Sequence, residues 1–278
     1  MTTDILLSEA RSYRTIEESI PRYRAVGGCV RRSYVNSIPI RLASTPDELE
    51  AIYQFRYRMC LEEMNWPRFH VDHTAGIIKD PLDHGAHNFG AFDGDEVVGV
   101  LRVNFPRTSS IAYYDRFLDM PSAGFFHPSA TSICTRLLVA PRLRGTTVAL
   151  RLAQASYEFG LCNQIRFNFL DCNDHLVRFF DRLGYTTHRR AEHPEYGMGN
   201  VMRLDLLDRA RLAGTRSPFL AILDKSSADL PVGELDRVGI DMGEGRSSSP
   251  LRCPIDAAIV GYMGRRGRQI SPGNAALV

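Results

Sequence analysis

From residue 38 onward the apolar positions fall into short blocks, and the spacing within the blocks changes along the chain. Residues 38–43, with Ile38, Ile40 and Leu42 two apart, read as a strand. Thr45-Pro46-Asp47-Glu48 then has the makeup of a helix start: a capping hydroxyl, proline in the first turn and acids beside the unpaired amides. Leu49, Ile52, Tyr53, Phe55 and Met59 follow close to helical spacing. The helix should end near Asn65-Trp66-Pro67, because proline disfavours helix in the residue before it. Residues 88–92 and 96–103 are apolar runs joined by Asp93-Gly94-Asp95, which predicts a hairpin. Residues 106–130 read as an irregular connection. Residues 135–139 form a strand that runs through 140–147 into an amphipathic helix starting at Val148. Residues 165–170 form another strand. Asp174 should cap the helix 175–183, which Gly184 ends, and 185–208 hold a last hairpin. The predicted order is β-α-β-β-loop-β-α-β-α-β-β, a mixed α/β sheet centred on the strand–turn–helix at 135–160.

Length and composition divide the chain around this unit. It has 278 residues, 44% hydrophobic and 24% charged, which is globular composition. Residues 1–36 are mixed and arginine-rich, with periodicity for a short helix over 6–23 that Gly27-Gly28 breaks. Residues 37–212 carry the α/β pattern. Residues 213–278 turn rich in Gly, Ser, Pro and Asp, and read as a partly irregular extension. No apolar run approaches the roughly 20 residues of a membrane span, and residues 1–9 lack the apolar stretch of a secretory signal. The six cysteines include no C-x-x-C pair, which fits a reduced, cytoplasmic protein. A net charge of +2 gives no electrostatic case for nucleic acid. His70, His73, His84 and His87 share a loop with Asp72, Asp80 and Asp83, but the spacing matches no ligand motif and no metal is predicted.

The turn at 139–147 carries chemistry. A helix's first amides have no internal partner and bear partial positive charge. Glycine lets the backbone approach an anion, and flanking arginines add charge-assisted contacts. Arg142, Arg144 and Gly145 before the helix therefore suit a phosphodiester or pyrophosphate, or else a loop of solvated arginines.

Val139-Ala-Pro-Arg142-Leu-Arg144-Gly145-Thr146-Thr147 resembles the acyl-CoA turn, Q/R-x-x-G-x-G/A, of the GCN5-related N-acetyltransferase (GNAT) superfamily; Thr147 stands at the last position. Asn173-x-x-Leu176-x-x-x-Phe180-x-x-x-Gly184-Tyr185 resembles that superfamily's N-x-x-A-x-x-x-Y-x-x-x-G-F. The likeness covers about 38–208. It implies a mostly antiparallel sheet with a central splayed parallel pair, flanked by helices. Within the superfamily, Phe55-Arg56-Tyr57 with Glu62-Glu63 and Trp66, then Asp80-x-x-Asp83, Gly99-x-x-Arg102 and Thr135-Arg136-Leu-Leu138-Val139, resemble the long-chain N-acyl amino acid synthases and acyl-homoserine-lactone synthases. Cys60 and Ile133 stand where the lactone synthases have an aromatic and an acid, so homoserine lactone and S-adenosylmethionine are not implied.

The resemblance implies an N-acyltransferase with no tightly bound cofactor. Its donor is an acyl-phosphopantetheine on an acyl carrier protein, or acyl-CoA, and its acceptor is a small amine; a homodimer is compatible. Leu138, Val139, Arg142, Arg144, Gly145, Thr146 and Thr147 would hold the donor, with a backbone amide near Leu138–Ala140 polarising the thioester. Arg56, Trp66, Asp80, Arg102, Arg136 and Phe180 would meet substrate. An arginine such as Arg56 on an apolar helix either snorkels to water or pairs with a carboxylate, from Asp80, Asp83 or the acceptor. Phe180 replaces the family's acid tyrosine and cannot give a proton. The thiolate then leaves unaided, takes a proton from water, or takes one from another group; the candidate catalytic base is Asp171, His175 or an acid of the Asp80/Asp83 loop, Asp83. A binding module without catalysis is the remaining alternative.

Overall fold

The computed structural model describes residues 32–63, 70–193 and 197–228. The helix expected within 6–23, Trp66 and the tail beyond 228 lie outside the described residues. The chain enters through α1 (Arg32–Ser37) and β1 (Ile40–Leu42), then turns into α2 (Pro46–Tyr57). The Thr45 hydroxyl accepts from the Glu48 amide, and the Glu48 carboxylate reaches back to the Thr45 amide, closing a capping box. A wider turn, Arg58–Glu63, continues α2. A two-residue ribbon, β2 (Val71–Asp72) with β3 (Ile77–Ile78), lies within the stretch read as loop. The hairpin β4 (His87–Asp93) and β5 (Glu96–Asn104) forms around Gly94, whose φ of 62° only glycine adopts freely.

Two short helical pieces, α3 (Tyr114–Phe117) and the turn Met120–Phe126, interrupt the next connection. Then come β6 (Thr131–Val139), α4 (Val148–Cys162), β7 (Phe167–Cys172), α5 (Asp174–Leu183), β8 (Thr186–His193) and β9 (Gly197–Asp205). Asp174, expected as the cap of α5, is its first residue, and its carboxylate takes the Asn200 side-chain amide at 2.6 Å instead. Packing continues past residue 212: α6 (Arg209–Gly214) leads to α7 (Phe219–Ala228), where the Phe219 ring stacks on Tyr157 of α4 at 4.3 Å.

The main sheet runs β1-β4-β5-β6-β7-β9-β8. Its pairs are antiparallel except β6 with β7, which α4 joins as the crossover a parallel pair needs. Thr131, Ser132 and Ile133 pair with Phe167, Asn168 and Phe169, and beyond Ile133 the two strands part. One face carries α4, close against Gly99, where a Cβ would stand 3.1 Å from both Val148 and Leu152. The other face carries α2 and a second core of Leu82, Tyr114, Leu118, Met120, Ile133 and Phe169. The 106–130 connection thus contributes packed apolar side chains without any strand or helix periodicity. Among the described residues, no helix is long and apolar enough to cross a membrane.

Candidate active site

The bend at 140–147 leaves β6 at the open end of the parting strands. Gly145 has a φ of 74° and open space where a Cβ would project. Arg142, Arg144 and Gly145 are exposed. Arg142 does not stand free: it clasps Glu96 of the hairpin at 3.0 and 2.7 Å. Such exposed pairs are worth about 0–1 kcal/mol, so Glu96 holds Arg142 only weakly. Arg144 Nε donates to the Val139 carbonyl at 3.1 Å. The Thr147 hydroxyl donates to Asn36 Oδ1 at 3.0 Å, and Arg151 donates to the Val35 carbonyl at 2.9 Å, so α1 flanks the bend. The expected polarising amide is not that of Ala140, which donates to Val98 at 2.9 Å across β5. Strand alternation then directs the Val139 amide away from β5, toward the parting.

Beneath the sheet lies a buried charged network. Asp83 Oδ1 meets Arg56 at 2.7 Å and Arg102 at 3.2 Å, and its other oxygen accepts the Asp80 amide at 2.9 Å. Asp80 meets Arg102 at 2.6 Å and Arg136 at 2.8 Å. Arg56 also donates to Asn88 Oδ1, and Arg102 Nε donates to Thr135 Oγ1 at 2.9 Å. Arg56 and Arg102 are 1% and 0% exposed, so Arg56 pairs inward instead of snorkelling. Arg136 joins because β6 carries an extra residue against β5 between Thr135 and Leu138. A φ of 58° at Arg136 marks that bulge, which aims the side chain at Asp80. Burial pushes the Asp80 carboxyl up, but the Arg102 and Arg136 guanidiniums outweigh it and hold it well below the usual carboxylate range. Three guanidiniums face two carboxylates, a net charge of +1. Among the described residues, Arg56 Nε, Arg102 Nη2 and Asn88 Nδ2 are buried donors with no hydrogen-bond partner.

The structure brings Arg56, Asp80, Asp83, Arg102 and Arg136 together and places the other candidates elsewhere. His175 is exposed in the first turn of α5, and Asp171 is half-buried near the end of β7. Phe180 is buried against Phe179 and Tyr185, with ring centroids at 5.1 and 5.5 Å. Sequence reasoning passed over Asn88, and it quoted Thr135 within a motif without giving it a site role. It also passed over a small crevice behind the parting, lined by Ser132, Ser156, Asn168 and Tyr185. The one available signal was polar residues within otherwise apolar strands.

Solved structures share this fold. FeeM, an N-acyl amino acid synthase from uncultured soil microbes, superposes with a TM-score of 0.50 at 16% identity, over 66% of this chain and 96% of its own. BjaI, a CoA-dependent acyl-homoserine lactone synthase, gives 0.53 at 18% identity over 80% of this chain and 98% of its own. MesI, a further CoA-dependent acyl-homoserine lactone synthase, gives 0.50 at 18% identity over 70% and 97%. No curated protein sequence matches the chain significantly. The acetyltransferase (GNAT) family model matches residues 48–185, which hold the parting strands, the bend and the charged network. Residues 48–185 belong to the acetyltransferase (GNAT) family, and the protein is an acyltransferase.

Proposed function

We propose that this protein is an N-acyltransferase that moves an acyl group from a phosphopantetheine thioester on an acyl carrier protein to the amine of an amino acid or similar small molecule. The observation that carries the proposal is the net-positive network of Arg56, Arg102, Arg136, Asp80 and Asp83 beside the parting of β6 and β7. A positive cluster with unpartnered buried donors attracts an acceptor carboxylate, which would set the amine next to the thioester. Asp83, with both oxygens engaged, serves this site by holding Arg56 and Arg102. Asp171 and His175 remain the proposed bases for the acceptor amine. The bend around Gly145, with Arg142 and Arg144, would take the phosphate of the pantetheine arm, and the arm would run along Leu138 and Val139. Phe180 supports the site from within the core.

A carrier-bound arm brings one phosphate, which suits a bend whose last position is Thr147. The alternative donor is acyl-CoA, favoured by the CoA-dependent synthases among the structural neighbours. The protein mixed with acyl-loaded carrier and a panel of amino acids, with products read by mass spectrometry, decides between them. N-acyl amino acid formed from the carrier supports the proposal. Turnover with free acyl-CoA alone replaces the carrier by CoA.

A further inference from the structure

We propose that Tyr185 is the proton donor to the departing thiolate, a role that rests on the transferase reading above and that the helix position, Phe180, cannot fill. Ser132 and Cys134 flank Ile133, the last residue of β6 paired to β7, so they mark where the strands part. Asn168 of β7 reaches across this point, donating to Ser132 Oγ at 2.7 Å and to Cys134 Sγ at 3.3 Å. Tyr185, just past α5, places its hydroxyl in the same spot and donates to Asn168 Oδ1 at 2.6 Å. Its ring is fixed edge-on against Phe180. From Val139 back to Cys134 the strand covers about 16 Å at the usual rise, comparable to an extended pantetheine arm. An arm anchored at the bend therefore ends near the Tyr185 hydroxyl.

The chemistry at this spot calls for a donor. Burial pushes the neighbouring Cys134 thiol up to about 11, so a bare thiolate is poorly tolerated there. Burial likewise raises Tyr185 well above its ordinary value, so it carries its proton at neutral pH. The neutral amine attacks the carbonyl carbon, a C–N bond forms and the C–S bond breaks. The departing sulfur takes the Tyr185 proton and leaves as a thiol, and the proton shed by the new amide nitrogen restores Tyr185. Cys134 and Tyr157 are the titratable groups acting on Tyr185.

The test compares wild type with Tyr185→Phe, which keeps the ring, after thermal melts show both folded. CoA or holo-carrier protein is bound, and the bound thiol is titrated by thiolate ultraviolet absorbance, with the unliganded protein subtracted. A donor at the sulfur predicts that the thiol titrates at higher pH in Tyr185→Phe than in wild type. It also predicts about a 100-fold loss in kcat for amide formation with donor KM unchanged. Binding with identical thiol titrations in the two proteins overturns the role of Tyr185 and leaves the transferase reading standing. Failure of wild type to bind either CoA or holo-carrier overturns both.

Discussion

At the scale of single residues, the buried network of Arg56, Arg102, Arg136, Asp80 and Asp83 bears on stability, and it is the group proposed to bind the acceptor. Removing one partner of a buried pair leaves an uncompensated charge, typically at a cost of about 3–5 kcal/mol. Asp83→Ala leaves Arg56 buried without its carboxylate, beside an Arg102 that keeps Asp80, so chemical denaturation should show a loss of that size. The acid limb of stability has a definite sign. Asp80 is depressed in the folded protein, so its contribution is fully present above the unfolded value of about 3.9 and is lost as pH falls below it. Melting temperature followed against pH should drop less steeply below pH ~4 in Asp80→Asn than in wild type; parallel acid limbs would contradict the assignment. The partners were only half legible. The order Arg56, Asp80, Asp83, Arg102, Arg136 stood in the sequence, but which acid met which arginine did not. The contacts of Asn88 and Thr135 were invisible because a polar residue within a strand can face water as easily as a guanidinium.

At the scale of elements, β6, the bend and α4 form the working unit, and two glycines let α4 sit close. A Cβ on Gly99 would come within 3.1 Å of Val148 and Leu152, and one on Gly160 within 2.8 Å of Leu206. Gly160→Ala should therefore lower stability by about 1–3 kcal/mol, as overpacking does, despite alanine's better helix propensity; a stabilised variant would show that α4 has room to shift. The bend's glycine differs in kind. Gly145 meets nothing within 4 Å, so Gly145→Ala costs only its left-handed backbone, about 1–2 kcal/mol. Its main effect should fall on donor affinity by calorimetry. The periodic elements were legible because their apolar faces are long. The ribbon of Val71–Asp72 with Ile77–Ile78 was not, since two residues a side give no alternation to read. The 106–130 connection was not either, because its second core is built from turns with no period.

At the scale of the whole molecule, the two faces of the sheet divide the labour. One face holds α4, with α7 packed behind it through Phe219, which is 1% exposed. Truncating such a side chain costs about 3–5 kcal/mol, so Phe219→Ala should lower the melting temperature markedly while the family unit at 48–185 keeps its sequence intact. The other face holds the charged network and the second core. The pairing of β6 with β7 ends at Ile133 and Phe169, between the two faces. The fold was legible from element order, because a parallel pair joined by a helix admits few topologies. The site was less legible, because it depends on a bulge at Arg136 that no local pattern announces. The most direct test offers the wild-type protein an equal mixture of an amino acid and the amine left by its decarboxylation, with one acyl thioester, and compares the acylated products. A positive network that holds the acceptor carboxylate predicts that the amino acid is acylated in large excess; equal acylation of the two, or preference for the bare amine, would contradict it.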